Sequence, residues 1–423
     1  MNLGVPPNVT PARMTNPARF RPWTATALLS TLVVSAFASA VTISGALVAD
    51  DAGATPKLYH AALLLAGAVI VFRGRIARPR TELLLYFAVM TAATLLAYSV
   101  NEPRVAGVKL LISLYIALVA GGVGRAAGAT VVIRACRVAS VAFLLLVTAK
   151  NTQHIPAFIA YLASPLGHPE LPTLSGGGLN LEATWLALSS VFLIGSAWFV
   201  PFVLTAAATS ALYASRAGLV IAGLAACAAI AFAWGGRRAG HIDLSPRAFV
   251  RRRWSRLFGV AVGAAAVVVM AGAMARVRQY GDTSYVAERF STIGEEPGSL
   301  GRMMLWRGGL RVFAEYPLGV GVGNAVPTLR RVLGVDVPED NLHNIYLQHA
   351  VETGIPGLLA LLVLAVSVAR RVFATRFRDH LLLFVAGYFV AGAIQFTGVD
   401  ALLWLVYGLQ SGVSSGEHSG ATP

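Results

Sequence analysis

The chain predicts an all-α polytopic membrane protein, with about twelve transmembrane helices of ~20 residues each. Three observations carry this. Of the 423 residues, 56% are hydrophobic and only 13% charged, and the mean hydropathy is +0.68; a soluble domain carries about 25% charged residues. Apolar runs of spanning length recur from end to end, in place of the ~10-residue alternating segments of a barrel. The arginines gather in a few short connections between those runs, as cytoplasmic loops do. The net charge of +15 is therefore read first as loop charge and only second as an anion-binding surplus.

The first span is expected at 24–48, behind Arg13, Arg19 and Arg21. Ala38-Ser39-Ala40 has the look of a signal cleavage site, but the apolar stretch is too long for a signal core and suits a retained span. Further spans fall at 58–72, 82–100, 105–121 and 131–149, followed by a polar loop, 150–181, that carries no arginine. The block 182–214 is ambiguous: as one helix it is about 48 Å long, too long for a ~30 Å hydrocarbon core. The arginines arbitrate. Two crossings, broken near Trp198–Pro201, put Arg237, Arg238, Arg247, Arg251, Arg252, Arg253 and Arg256 on the inside; one crossing puts them outside. Spans at 217–235 and 257–275 follow, then an outer segment 276–352, a span at 355–369, an inner loop with Arg370, Arg371, Arg376 and Arg378, and apolar runs at 380–398 and 401–413. The domain reading is a bundle over 1–275, an outer loop over 276–352, closing spans over 353–413 and a disordered tail over 414–423, part of the stretch SGVSSGEHSGATP, with both termini inside. Cys136 and Cys227 lie in apolar runs and read as packed small residues.

Polar residues near the spans cluster at outer ends: Lys109, Glu182, Arg216, Glu352 and Asp400. A transporter would place such groups near the midplane, so the site is expected at the outer boundary. The outer segment mixes arginines with acids, which fits a folded cap and not a nucleic-acid-binding arm. Within it, SLGRMMLWRGGLRVFAEYP reads as an amphipathic helix with Ser299 as cap and Pro317 after its end. Arg302, Trp306, Gly309 and Phe313 share one of its faces, and an arginine fork suits a phosphate. The glycines of PLGVGVGN, 317–324, read as a turn, since no Lys-Ser/Thr follows and no strand precedes. In DNLHNIYLQHAVETGIPG, Asp340 or Asn341 is expected to cap a helix starting near Leu342, with His343 in its first turn. A helix N-terminus favours neutral imidazole, the form a general base needs. Asn344, Gln348 and Glu352 form one polar stripe. His343 and His349 are too far round the helix to share a metal, which needs the i, i+4 spacing, and no Asp-x-Asp stands in the outer loops; neither metal nor cofactor is expected. A lone boundary histidine is more often an anchor, and it is the company of Arg216, Arg289 and Arg302 that makes His343 a catalytic candidate.

Over roughly 180–370 these motifs resemble the O-antigen ligase family of bacterial inner-membrane glycosyltransferases. The resemblance is carried by SRAG at a span end, ERF…GRMMLWRGGLRVFAEYPLGVGVGN, and LHNIYLQHAVETGIPG before a late span. It implies a GT-C-like helical enzyme that moves a glycan from undecaprenyl diphosphate to lipid A–core at the periplasmic face. On that resemblance His343 is the base, Arg216, Arg289 and Arg302 hold the diphosphate, and Tyr346, Gln348 and Glu352 are orienting candidates. O-antigen polymerases and protein O-oligosaccharyltransferases share the motif region, though the latter usually carry more sequence after it than this chain. A lipid-glycan transporter is the rival of a different class.

The arginine argument is testable. Cysteines placed at 243 and 376 are expected to be shielded from an impermeant thiol reagent in intact cells, and one at 295 to react. Reaction at 243 means that 182–214 crosses only once.

Overall fold

The computed structural model describes residues 22–41, 57–72, 79–99, 101–153, 172–213, 215–237, 297–334, 337, 339–396 and 398–419. Arg289, the expected span 257–275, the arginine cluster beyond 237, most of the loop 150–181 and the first part of the outer segment lie outside the described residues.

Among the described residues the chain is helical, with no β-sheet. In hydrocarbon each backbone N–H and C=O must find its partner within the segment, and a helix does this locally. The N-terminal helices are α1 (Pro22–Phe37), α2 (Leu58–Phe72), α3 (Thr81–Tyr98), α4 (Val105–Ala127) and α5 (Ala129–Gln153). α6 (Gly178–Ser189) continues into a 3₁₀ turn, Ser190–Leu193, and α7 (Phe199–Leu212) and α8 (Arg216–Arg237) follow. The block 182–214 is thus broken at 194–198, beside the expected Trp198–Pro201, and its halves pack on each other. Then come α9 (Pro297–Glu315), α10 (Ala325–Leu333), α11 (Ile345–Ala374), α12 (His380–Ala391) and α13 (Ala401–Ser419). Among the described residues four helices are long and apolar enough to cross a membrane: Thr81–Tyr98, Gly107–Ala127, Ala129–Gln153 and Ile345–Ala374. Five shorter apolar helices accompany them. This is a membrane protein.

Several expectations change. α9 begins at Pro297, so Ser299 lies in its first turn and is not its cap; proline is favoured there because its missing N–H has no intrahelical partner to lose. The tail expected to be disordered from Ser411 is helical to Ser419. Cys136 is packed as expected, but Cys227 is exposed on α8.

Glycine sets the closest helix contact. A Cβ on Gly124 would overlap the carbonyl oxygen of Leu409, one on Gly408 that of Ala117, and one on Gly412 that of Gly121. α4 and α13 therefore touch backbone to backbone, the small-residue seam by which helices associate where lipid offers no hydrophobic drive. A second tie is ionic. Glu182 is fully buried on α6, paired with Lys150 of α5, 2.7 Å from the Tyr213 hydroxyl, and accepts the Leu174 N–H at 2.6 Å. A buried charge persists only with such company. At the far end of α11, Arg371 and Arg80 share Glu82 at 3.9 Å each, and Asp379 caps α12 through the Leu381 and Leu382 N–H groups while accepting from Gln410.

The seam gives a paired prediction. Gly412→Ala should lower thermal stability in detergent, by about 1–3 kcal/mol on the usual scale of overpacking. Gly223→Ala, where an added Cβ meets nothing within 4 Å, should be neutral or stabilising, because alanine is the better helix former by ~1 kcal/mol. Equal melting shifts for both would show that the α4–α13 contact is not close.

Candidate active site at the head of helix α11

The site begins with a broken helix. Pro356 has no N–H, so the carbonyl of Glu352 has no partner within α11. Gly354 departs from helical geometry at φ 67°, ψ −163°, which also frees Val351 O and Ile355 N. The loop after α9 satisfies all three groups. Val320 N donates to Val351 O at 3.0 Å, Gly321 N to Glu352 O at 2.8 Å, and Ile355 N to Pro317 O at 2.9 Å. Gly319, Gly321 and Gly323 all take positive φ. At Gly319 a Cβ would stand 2.5 Å from Glu352 O, so the glycine is required by the approach. The PLGVGVGN stretch is a turn, as expected, but its amides serve the kink.

A chain of hydrogen bonds leads from that loop to His343. Gly323 N donates to Glu352 Oε1 at 2.8 Å, Gln348 Nε2 donates to the same oxygen at 2.6 Å, and Gln348 Oε1 accepts the Leu342 N–H at 2.9 Å. From the other side, Trp306 Nε1 donates to Leu342 O at 2.9 Å. The peptide before His343 is thus held at both its neighbour's ends. Asn341 Oδ1 accepts the His343 N–H at 2.8 Å. Asn344 Oδ1 caps α11 by accepting Tyr346 N and Leu347 N, each at 3.0 Å. The helix therefore starts at Ile345, capped by Asn344 and not by Asp340 or Asn341, and His343 stands just outside the first turn.

His343 is held at φ 50°, in the left-handed region. That conformation is uncommon for a side-chain-bearing residue and persists only where its surroundings fix it. Its Nδ1 is buried and makes no hydrogen bond among the described residues. Burial lowers its pKa from the ordinary 6.5, the Arg302 guanidinium lowers it further, and Asp340 and Glu339 oppose. The imidazole is thus neutral near pH 7, through burial and a neighbouring cation more than through the helix N-terminus.

Arg302 lies one turn before Trp306 on α9, and Trp306 is bonded to the residue before His343; the α9 face expected from spacing does meet this loop. Gly309 packs against Leu342 and Leu347, and Phe313 joins the cap core. Arg216 opens α8, three residues after Tyr213, whose hydroxyl belongs to the Lys150–Glu182 cluster; Ser215 Oγ accepts Gly218 N at 3.2 Å in the first turn. Tyr346 donates to Phe389 O at 2.9 Å, tying α11 to α12. Tyr346, Gln348 and Glu352 therefore hold backbone in place. His349 is part of the core, with Nε2 2.7 Å from Tyr86 Oη. Sequence reasoning missed the strut from the 98–104 connection: Tyr98 donates to Val322 O at 2.8 Å, Arg104 Nε to Asn324 Oδ1 at 3.1 Å, and Asn324 Nδ2 to Glu102 O at 3.0 Å. It expected Asn341 as a helix cap, where the structure has it accepting the His343 N–H. The proline two residues after Gly354 was the available signal that a second segment must dock on α11.

The geometry places a neutral, constrained imidazole beside a guanidinium at the head of a spanning helix, an arrangement suited to deprotonating a hydroxyl next to an anionic group. No curated protein matches the chain. Residues 200–362, which hold Arg216, Arg302, His343 and the docked loop, match the family model described as O-Antigen ligase, and over this segment the chain is similar to that family.

Proposed function

We propose that this protein is an O-antigen ligase. It transfers a glycan from undecaprenyl diphosphate to a sugar hydroxyl of lipid A–core, at the periplasmic face of a bacterial inner membrane that it crosses about twelve times at ~20 residues per span, in a GT-C-like arrangement with both termini cytoplasmic. The observation that supports this reading most is the clamped, left-handed His343 beside Arg302 at the head of α11, inside the segment that matches the family.

In the reaction, neutral His343 takes the proton of the acceptor hydroxyl as its oxygen attacks the anomeric carbon. The bond from that carbon to the diphosphate oxygen breaks on the opposite side, and the anomeric centre inverts. Undecaprenyl diphosphate leaves with the electron pair. Its developing charge falls to Arg302, with Arg216 and Arg289 as further ligands, so the positive charge comes from the protein and the step needs no metal. A guanidinium in fixed geometry stabilises such charge without reorganisation. Tyr346, Gln348 and Glu352 are positioning residues that hold the His343 loop.

His343→Ala should lower turnover by ~10²–10⁴, the scale of positioned acid–base catalysis, with little change in direct binding of the lipid-diphosphate donor. An equal loss in donor binding would make His343 a ligand and remove the base assignment. The pH profile carries a second check. A base must be deprotonated, so activity falls as pH drops through its pKa, and a pKa below 6.5 puts the acid limb of kcat/KM below pH 6.5. Arg302→Gln removes a neighbouring cation and leaves Asp340 and Glu339, so the limb should move to higher pH. A limb that stays put means the two groups do not interact.

Arg302→Ala should reduce transfer by ~10²–10³ while the protein still inserts. Arg302→Lys should recover little, because a point charge does not replace the planar fork. A lysine variant as active as the unsubstituted protein would show that geometry is not what Arg302 contributes.

A further inference from the structure

Helix α9 has three faces, and two are already occupied. Leu305, Gly308 and Val312 face the cap core and are buried. Arg302, Trp306, Gly309 and Phe313 face the His343 loop. At ~100° per residue, the remaining arc carries Met303, Arg307, Leu310, Arg311 and Ala314, with Met304 at one edge, and all six are exposed. Leu310 is 58% exposed. Glu315, the one acid of the helix, lies beyond Met304 at that same edge of the arc.

This arc is wrong for water, where the outward face of a cap helix should be polar. It is also not purely apolar. Arg307 and Arg311 lie one turn apart, beside Met303 and Leu310, the pattern of a helix that rests in a membrane interface with its cations on headgroups. A second, independent observation says what covers it. The chain runs from α9 through Leu318 directly onto the break in α11, where Ile355 N donates to Pro317 O at 2.9 Å. Leu318 is 68% exposed and Ile355 48%. Below them Leu359, Leu362, Val363 and Val366 are exposed on one face of the spanning helix, the surface that such a helix turns to lipid. The lipid-facing stripe of α11 thus continues through Leu318 onto the open face of α9.

We propose that this face of α9 lies on the phospholipid surface, with Met303, Leu310 and Ala314 at the boundary of the acyl chains and Arg307 and Arg311 on the phosphates. The inference rests on α11 spanning the membrane and is independent of the ligase reading. The cap is then anchored to the bilayer along its length, and Arg302, one face away, is held at a fixed height above the headgroups.

The test uses the full chain with Cys136→Ser and Cys227→Ser, reconstituted in nanodiscs of phosphatidylethanolamine and phosphatidylglycerol. Single cysteines at 303, 310 and, as lipid-facing control, 362 carry an environment-sensitive fluorophore. The expected result is that shallow nitroxide lipids quench most of the emission at 303 and 310 while aqueous iodide does not, and that deep nitroxide lipids quench 362. Quenching of 303 and 310 by iodide and not by lipid nitroxide, with 362 behaving as expected, would place the face in water and overturn the proposal. Shielding from both quenchers would also overturn it, because the face would then be covered by protein. In the supporting case, R307Q with R311Q should reduce the lipid quenching at 310; unchanged quenching would remove the arginines from the interface.

Discussion

One missing proton organises the region around the head of α11. Pro356 cannot donate to the carbonyl of Glu352, and Gly354 turns the chain out of the helix just before it. Freed polar groups cannot be left in an apolar setting. The glycine-rich loop after α9 answers them with its own backbone, and this docking fixes the cap to the span. From there the order passes inward through side chains: Glu352 reads the loop amide, Gln348 reads Glu352, and the amide of Leu342 reads Gln348. His343 is the next residue. Its strained backbone is thus supported by the same bonds that repair the helix.

The helical membrane class was legible from hydropathy, because a bilayer restricts the backbone to a few solutions. The breaks at 194–198 and Gly354 show the difference in what sequence carries. The first was signalled by length, since 182–214 is too long for one crossing, with the arginines beyond it deciding for a break. The second needed a question about hydrogen bonds: the proline announced one orphan carbonyl, that of Glu352, but nothing local to it named the loop that would meet it. In the candidate site, the shared α9 face of Arg302 and Trp306 followed from spacing, while His343 was singled out by its place before α11 and its company of arginines. Asn344 was seen as part of a stripe, yet its role as cap was assigned to residues three and four positions earlier, because each of Asp340, Asn341 and Asn344 is a good cap and only the left-handed turn at His343 decides between them. The strut from Tyr98 and Arg104 joins segments more than two hundred residues apart and has no signature in either one.

The electrostatics of the site differ from what a helix N-terminus alone supplies. A macrodipole acts over the first turn and is screened by solvent. Burial, and after it the Arg302 guanidinium carried by α9, act on His343 directly. The helix that supplies the cation therefore also favours the neutral form of its neighbour, and the two acids at 339 and 340 oppose that effect.

The glycine seam between α4 and α13 bears on how the protein is made. α4 leaves the ribosome well before α13. Until α13 is in the bilayer, the groove at Gly121 and Gly124 faces lipid or a provisional neighbour, and the backbone contact that closes the bundle is absent. Contacts of such long sequence separation form late, since the chain must first lose the freedom of everything between. Assembly of this bundle is thus a matter of insertion first and closure afterwards, with α13 acting as the bolt.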